Sequence, residues 1–146
     1  MIDSQSVKTT ESGGPRGYDA GKKVSGIKRH IAVDTLGLPH AVSITTANVT
    51  DRQGGLQALK RCNPSLNKVQ SLLCDSSYTG EPFTKGVQEI LGEHVTVQIA
   101  KRTELHTFKI LPKRWIVERT FGWLSNYRRF AKDYEYHPAN SEALIL

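Results

Sequence analysis

Along residues 27–35, Ile27, Arg29, Ile31 and Val33 fall on one side of the chain, and Lys28, His30, Ala32 and Asp34 on the other. Alternation with a period of two marks a strand. Residues 38–47 (LPHAVSITTA) read the same way, and Leu36-Gly37 between the two runs predicts a hairpin. Upstream, Met1 and Ile2 run straight into Asp3, which reads as a strand cut short at the acid. Residues 9–26, rich in Gly, Ser, Thr and charge, read as a loop.

Further along the period changes. Thr50 is placed to cap a helix over residues 51–61, with Leu56 and Leu59 on a partial apolar stripe and Asn63-Pro64 at its end. Residues 69–74 (VQSLLC) form a compact apolar run suited to a buried strand, which ends at Asp75. Gly80 and Pro82 open a second helix, 82–91, carrying Phe83, Val87, Ile90 and Leu91 at helical spacing, with Gly92 placed to stop it. Residues 95–100 read as a strand and 101–112 as a loop of mixed charge closing at Pro112. The longest helix runs from Lys113 to Phe130. Three antiparallel strands followed by β–α alternation describe an α/β protein, a mixed sheet flanked by helices. That order resembles the ribonuclease H-like fold.

A length of 146 residues fits one domain with one core. No apolar run approaches the length of a membrane span, and the N-terminus lacks the basic-then-apolar order of a signal peptide. Cys62 and Cys74 follow no metal-finger spacing, and the five histidines show no ligand spacing, so zinc is not expected. A reduced, cytoplasmic setting without a disulfide is the plain expectation. The net charge of +6, from 20 Lys+Arg against 14 Asp+Glu, favours polyanionic partners. Its distribution says more: Lys22, Lys23, Lys28 and Arg29 form one group with His30, and Arg114, Arg119, Arg128 and Arg129 another.

Three acids stand out. Asp3 and Asp75 fall where strands end, the place where ligands gather in open α/β sheets, although each also reads as a turn or capping aspartate. Asp75-Ser76-Ser77 would make a good turn. On a helical wheel Ile116, Val117, Thr120, Phe121, Trp123 and Leu124 cover one broad face, while Arg114, Glu118, Gly122, Ser125 and Arg129 line the other. Glu118 could be a solvated partner of Arg114, or a carboxylate turned toward a polyanion. Phosphodiester transfer needs an activated oxygen nucleophile and a stabilised leaving oxygen, and two divalent ions about 3.5–4 Å apart supply both. Mg²⁺ and Mn²⁺ take oxygen ligands, so three carboxylates from separate elements suffice.

Several stretches together resemble the DDE transposases of bacterial insertion sequences, in their IS-five-like group. They are IDSQSVK around Asp3, GIKRHIAVDTLGLPHAV, TANVTDR, CDSSYTG around Asp75, and LPKRWIVERTFGWLSNYRRFAKDYE around Glu118. The last is the most specific, and the stretches span nearly the whole chain. The resemblance implies a single ribonuclease H-like catalytic domain over residues 1–146 with a triad of Asp3, Asp75 and Glu118 on two Mg²⁺ or Mn²⁺ ions. It implies cleavage at transposon ends and transfer of the freed 3′-hydroxyl to target DNA, with double-stranded DNA and a second copy of the chain as partners. Lys22, Lys23, Lys28, Arg29, Arg114, Arg119, Arg128 and Arg129 are the expected DNA contacts. Ser125 stands where the family often has a lysine, and Arg128 or Arg129 is expected to substitute.

The family's N-terminal DNA-binding portion and a C-terminal helical tail are expected to be missing. A first strand so short would hold Asp3 poorly, so weak activity is expected of this chain alone. An inactive DNA-binding remnant and a nuclease without strand transfer remain alternatives. Trp123 is expected in the core, Trp115 toward the polar edge, either stacking on a base or partly buried. Asp51 reads as a first-turn helix acid, and Tyr78 as either flanking the scissile phosphate or packing beneath the turn.

Overall fold

A computed structural model describes the chain except residues 12, 63, 65 and 101–113 and the Arg114 side chain. Thus the expected loop 101–112 lies outside the described residues. The first strand, β1, is Ile2–Lys8. It is not cut short at Asp3: it pairs antiparallel with β3 (Val24–Val33) from Ile2 opposite Ala32 to Lys8 opposite Gly26. Its length is masked in the sequence because Ser4 and Ser6, at inward positions, are polar. Both find partners inside the protein: Ser4 Oγ donates to Asp51 at 2.8 Å and Ser6 Oγ to Asp19 at 2.6 Å. Within the expected loop, β2 (Gly17–Asp19) pairs with the first residues of β3.

The hairpin forms as expected, with β4 (Pro39–Thr46) antiparallel to β3. Its turn rests on Gly37, whose φ of 90° lies in the region glycine alone adopts freely. Helix α1 (Asp51–Cys62) starts beneath the expected cap, with Gln53 N donating to Thr50 Oγ1 at 3.3 Å. Then come β5 (Ser71–Cys74), a single 3₁₀ turn Ser76–Tyr78, α2 (Glu81–Leu91) and β6 (Thr96–Ile99). The strands β5 and β6 pair in parallel as a separate two-stranded sheet; β5 lies beside β1, but no ladder joins the sheets among the described residues. The expected long helix is broken: α3 (Arg114–Asn126) ends before Tyr127, and a short α4 (Arg128–Ala131) follows. A final helix, α5 (Pro138–Ile145), forms where the apolar spacing predicts none.

The alternation of β1 and β3 sends apolar side chains to both faces of the sheet. Ile2 and Ala32 join Ala58 and Leu59 of α1 and Phe83 and Val87 of α2 in one core. Val7, Ile27 and Ile31 join Ile116, Val117 and Phe121 of α3 and Ile145 of α5 in a second. Helices therefore cover both faces. No disulfide joins Cys62 and Cys74. No helix among the described residues is long and apolar enough to cross a membrane.

Candidate active site

The two faces of β1 have different chemistry. Ile2, Ser4 and Ser6 face α1, whereas Asp3, Gln5 and Val7 face α3. Asp3 Oδ1 accepts from the Ser4 amide at 2.7 Å. Asp75 follows β5 and caps the 3₁₀ turn, accepting from Ser77 N at 2.9 Å and Ser77 Oγ at 2.5 Å. The turn anticipated from Asp75-Ser76-Ser77 is therefore real. It does not keep Asp75 away from Asp3. Burial pushes the Cys74 thiol up to about 12, and the carboxylates of Asp75 and Asp3 both reinforce that shift. Burial likewise raises the Tyr78 phenol, with Asp3, Asp51 and Asp75 all adding to it. The strands β1 and β5, distant in sequence, lie side by side, and Asp3 and Asp75 both act on the same two buried groups.

Glu118 reaches the same flank by a different route. Ser125 of α3 accepts from Gln5 Nε2 at 3.3 Å. Glu118 lies two turns earlier on the same stripe, roughly 10 Å toward the helix start. Asp3 lies two residues before Gln5, roughly 7 Å along the strand. The helix start faces the hairpin, since Thr120 Oγ1 donates to Gly37 O at 2.8 Å, so both displacements point the same way. Glu118 and Asp3 therefore share one side of the sheet along the α3–β1 flank. At Gly122, between Glu118 and Ser125, an added methyl would meet nothing within 4 Å. Among the described residues no three His, Cys, Asp or Glu side chains are gathered closely enough to enclose a metal ion. The donor set of Asp3, Asp75 and Glu118 is nonetheless all oxygen, which suits a hard divalent cation.

Behind the site, on the opposite face of β1, lies a charged network that sequence reasoning missed. The Lys28 ammonium, almost fully buried, sits 3.0 Å from Asp51 and 3.3 Å from Asp19. Burial opposes ionisation of Asp51, but the Ser4 hydroxyl and Lys28 outweigh it and hold the carboxyl below its ordinary value. Asp19 is held down to about 2: against its burial act Ser6, the Lys22 amide and Lys28. His30 is wholly buried and depressed to about 4 by that burial, which Asp51 only partly counters.

Several expected DNA contacts are corrected by this geometry. Lys28 and Arg29 are internal, because β3 is the central strand and both its faces are covered. Arg29 Nη1 donates to Phe130 O at 2.8 Å. Lys22 and Lys23 are exposed, and Lys22 Nζ donates to Ser4 O at 3.2 Å. Arg119 is stacked between Trp115 and Trp123, 4.6 Å from each ring, and donates to Leu36 O. Trp123 is consequently 49% exposed, not in the core: its indole lies over Arg119 at the hairpin edge of α3. Trp115 is 51% exposed. Arg128 is exposed, Arg129 pairs with Glu135 at 2.8 Å, and the Arg114 side chain lies outside the described residues. Asp51 does occupy the first turn of α1, and Tyr78 packs beneath the Asp75 turn.

Comparison with known proteins bears on the whole chain at once. The family model described as the transposase DDE domain matches residues 1–146. The chain belongs to the DDE transposase family. A Burkholderia cepacia protein named for the transposase of insertion sequence element IS402 is 32% identical to this transposase domain over 117 residues, covering 75% of this chain and 54% of that protein. The transposase domain thus spans about half the length of the curated relative it matches. No solved structure matches it significantly.

Proposed function

We propose that this chain is the catalytic domain of an insertion-sequence transposase that cuts the phosphodiester at transposon ends and joins the freed 3′-hydroxyl to target DNA. The reading takes the antiparallel β4–β3–β1 sheet, with β5 and β6 beside β1 and helices on both faces, as ribonuclease H-like. The observation that carries it is the packing of β1 beside β5, with Asp3 and Asp75 both acting on the buried Cys74 and Tyr78, and Glu118 on the α3 flank that adjoins Asp3. Asp3, Asp75 and Glu118 would hold two Mg²⁺ or Mn²⁺ ions. When bound, the ions supply positive charge that activates the attacking oxygen and stabilises the leaving one.

The protein's own contribution is positional. β1 presents Asp3 from a strand fixed along its whole length by β3. The 3₁₀ turn orients Asp75, and α3 would present Glu118 from the same side of the sheet. Exposed Lys22 and Lys23 would contact phosphates without reading sequence. The test is Mg²⁺-dependent nicking of a transposon-end duplex by the full-length protein, with Asp75→Asn and Glu118→Gln expected to abolish it. Retained nicking in either variant refutes the triad.

One observation favours a second reading, a chain that binds DNA or a complete transposase without cutting. Asp75 is engaged by Ser77, and the three acids are not closed into a metal cage. A labelled target duplex separates a third possibility, a nuclease, which leaves no joined product.

A further inference from the structure

Beyond the carboxylates, β1 ends in an unusual arrangement of like charge. The Asp133 amide donates to Lys8 O at 2.9 Å, and the Thr10 amide donates to Asp133 O at 3.1 Å. These two bonds form a parallel bridge between Thr9 and Asp133. The bridge sets Lys132 beside Lys8, one strand spacing away, about 4.8 Å. Both lysines are exposed, and neither ammonium has an ion-pair or hydrogen-bond partner among the described residues. The acid next to Lys132 in the chain, Asp133, is buried and accepts from Ser141 at 2.7 Å.

Lys8 and Lys132 line a groove of about 240 Å³ with Gln5, Ser125 and Phe130, and none of its described lining residues is acidic. Arg29 stands behind the Phe130 ring, its guanidinium 5.5 Å from the centroid and its charge countered by the buried Asp133. Like charges placed opposite each other on neighbouring strands are destabilising. The backbone nevertheless holds them together, so an anion in the groove would relieve a repulsion already built in. Arg128 and Arg129 do not line this groove.

We propose that the Lys8–Lys132 groove binds a backbone phosphate of DNA. The proposal rests on the transposase reading above. Lys8 lies five residues beyond Asp3, roughly 17 Å along β1, and the alternation of the strand turns it to the other face, so the groove is a contact separate from the carboxylates. Gln5 and Ser125, hydrogen-bonded to each other, line the groove with the two lysines.

The test measures binding of a short fluorescein-labelled duplex to the full chain across a salt series, alongside Mn²⁺ calorimetry. Lys8→Gln combined with Lys132→Gln should bind DNA at least about tenfold more weakly, with a salt slope shallower by about 1.8, and Mn²⁺ heats should match the unsubstituted protein. An unchanged slope in a variant that still binds DNA overturns the groove while leaving the transposase reading intact. Absence of DNA binding by the unsubstituted protein overturns both. Polyglutamate that competes as well as DNA would assign the groove to an acidic peptide and overturn the proposal.

Discussion

The Lys28 ammonium lies 3.0 Å from the Asp51 carboxylate, on the face of β1 opposite the one that carries Asp3. Lys28 also reaches Asp19, so a single buried cation joins β3 to β2 and α1 across the back of the candidate site. Removing one partner of a buried ion pair leaves an uncompensated charge and costs roughly 3–5 kcal/mol. Lys28→Ala should therefore lower stability by about 3 kcal/mol, read as a shift of the urea midpoint. A loss below about 1 kcal/mol, typical of a surface pair, would show that Lys28 is not the link.

The acid response should have two parts. The folded His30 binds its proton near 4, below the unfolded value of about 6.5, so the unfolded chain takes up protons first as pH falls. Stability should fall by about 3 kcal/mol between those two values and then level off from this cause. Asp19 behaves differently. Its folded value of about 2 lies below the unfolded carboxylate, so its contribution is present above about 4 and is lost as pH drops toward 2. Urea titrations across pH should show the upper step vanish in His30→Gln; persistence of that step would exclude His30 as its source.

Two glycines should respond in opposite directions to the same change. A methyl at Gly54 would stand 2.0 Å from His30 Nε2, and that ring is wholly buried and bonded to Thr45 at 2.9 Å. Overpacking of this kind costs about 1–3 kcal/mol, more than the helical gain from alanine. At Gly122 nothing lies within 4 Å, so Gly122→Ala should stabilise by up to about 1 kcal/mol. Thermal melts of the two variants check both signs.

Trp123 lies half-exposed against Arg119. Trp123→Ala should cost about 1 kcal/mol, well short of the roughly 3–5 kcal/mol of a core tryptophan. Its emission should be that of a solvent-accessible indole and should shift in Arg119→Ala. A core-sized loss of stability would restore the buried assignment.

Regular apolar spacing makes most of the fold legible: the hairpin, α1, α2 and the apolar β5 all lie close to where their patterns place them. The misses share a cause, which is polar residues satisfied inside the protein. Ser4, Ser6 and Lys28 look like surface positions until Asp19 and Asp51, distant in sequence, arrive as partners. They hide the length of β1 and make Lys28 look like a DNA contact. Trp123 departs from its expected place for the complementary reason, since an indole can lie on a guanidinium instead of in a core. Asp75 follows β5 as its position predicts, whereas Asp3 is the second residue of β1 and not its end, because β1 runs on through the polar Ser4 and Ser6. The Lys8–Lys132 pairing is not, because it depends on a bridge between the two ends of the chain.

Mn²⁺ titration by calorimetry addresses the central claim most directly. The unsubstituted chain should give saturable heats, which Asp3→Asn, Asp75→Asn and Glu118→Gln should each weaken at least about tenfold, while Glu93→Gln at a distant exposed position leaves them intact. Equal Mn²⁺ affinity in Glu118→Gln would contradict a site shared by α3, β1 and the β5 turn.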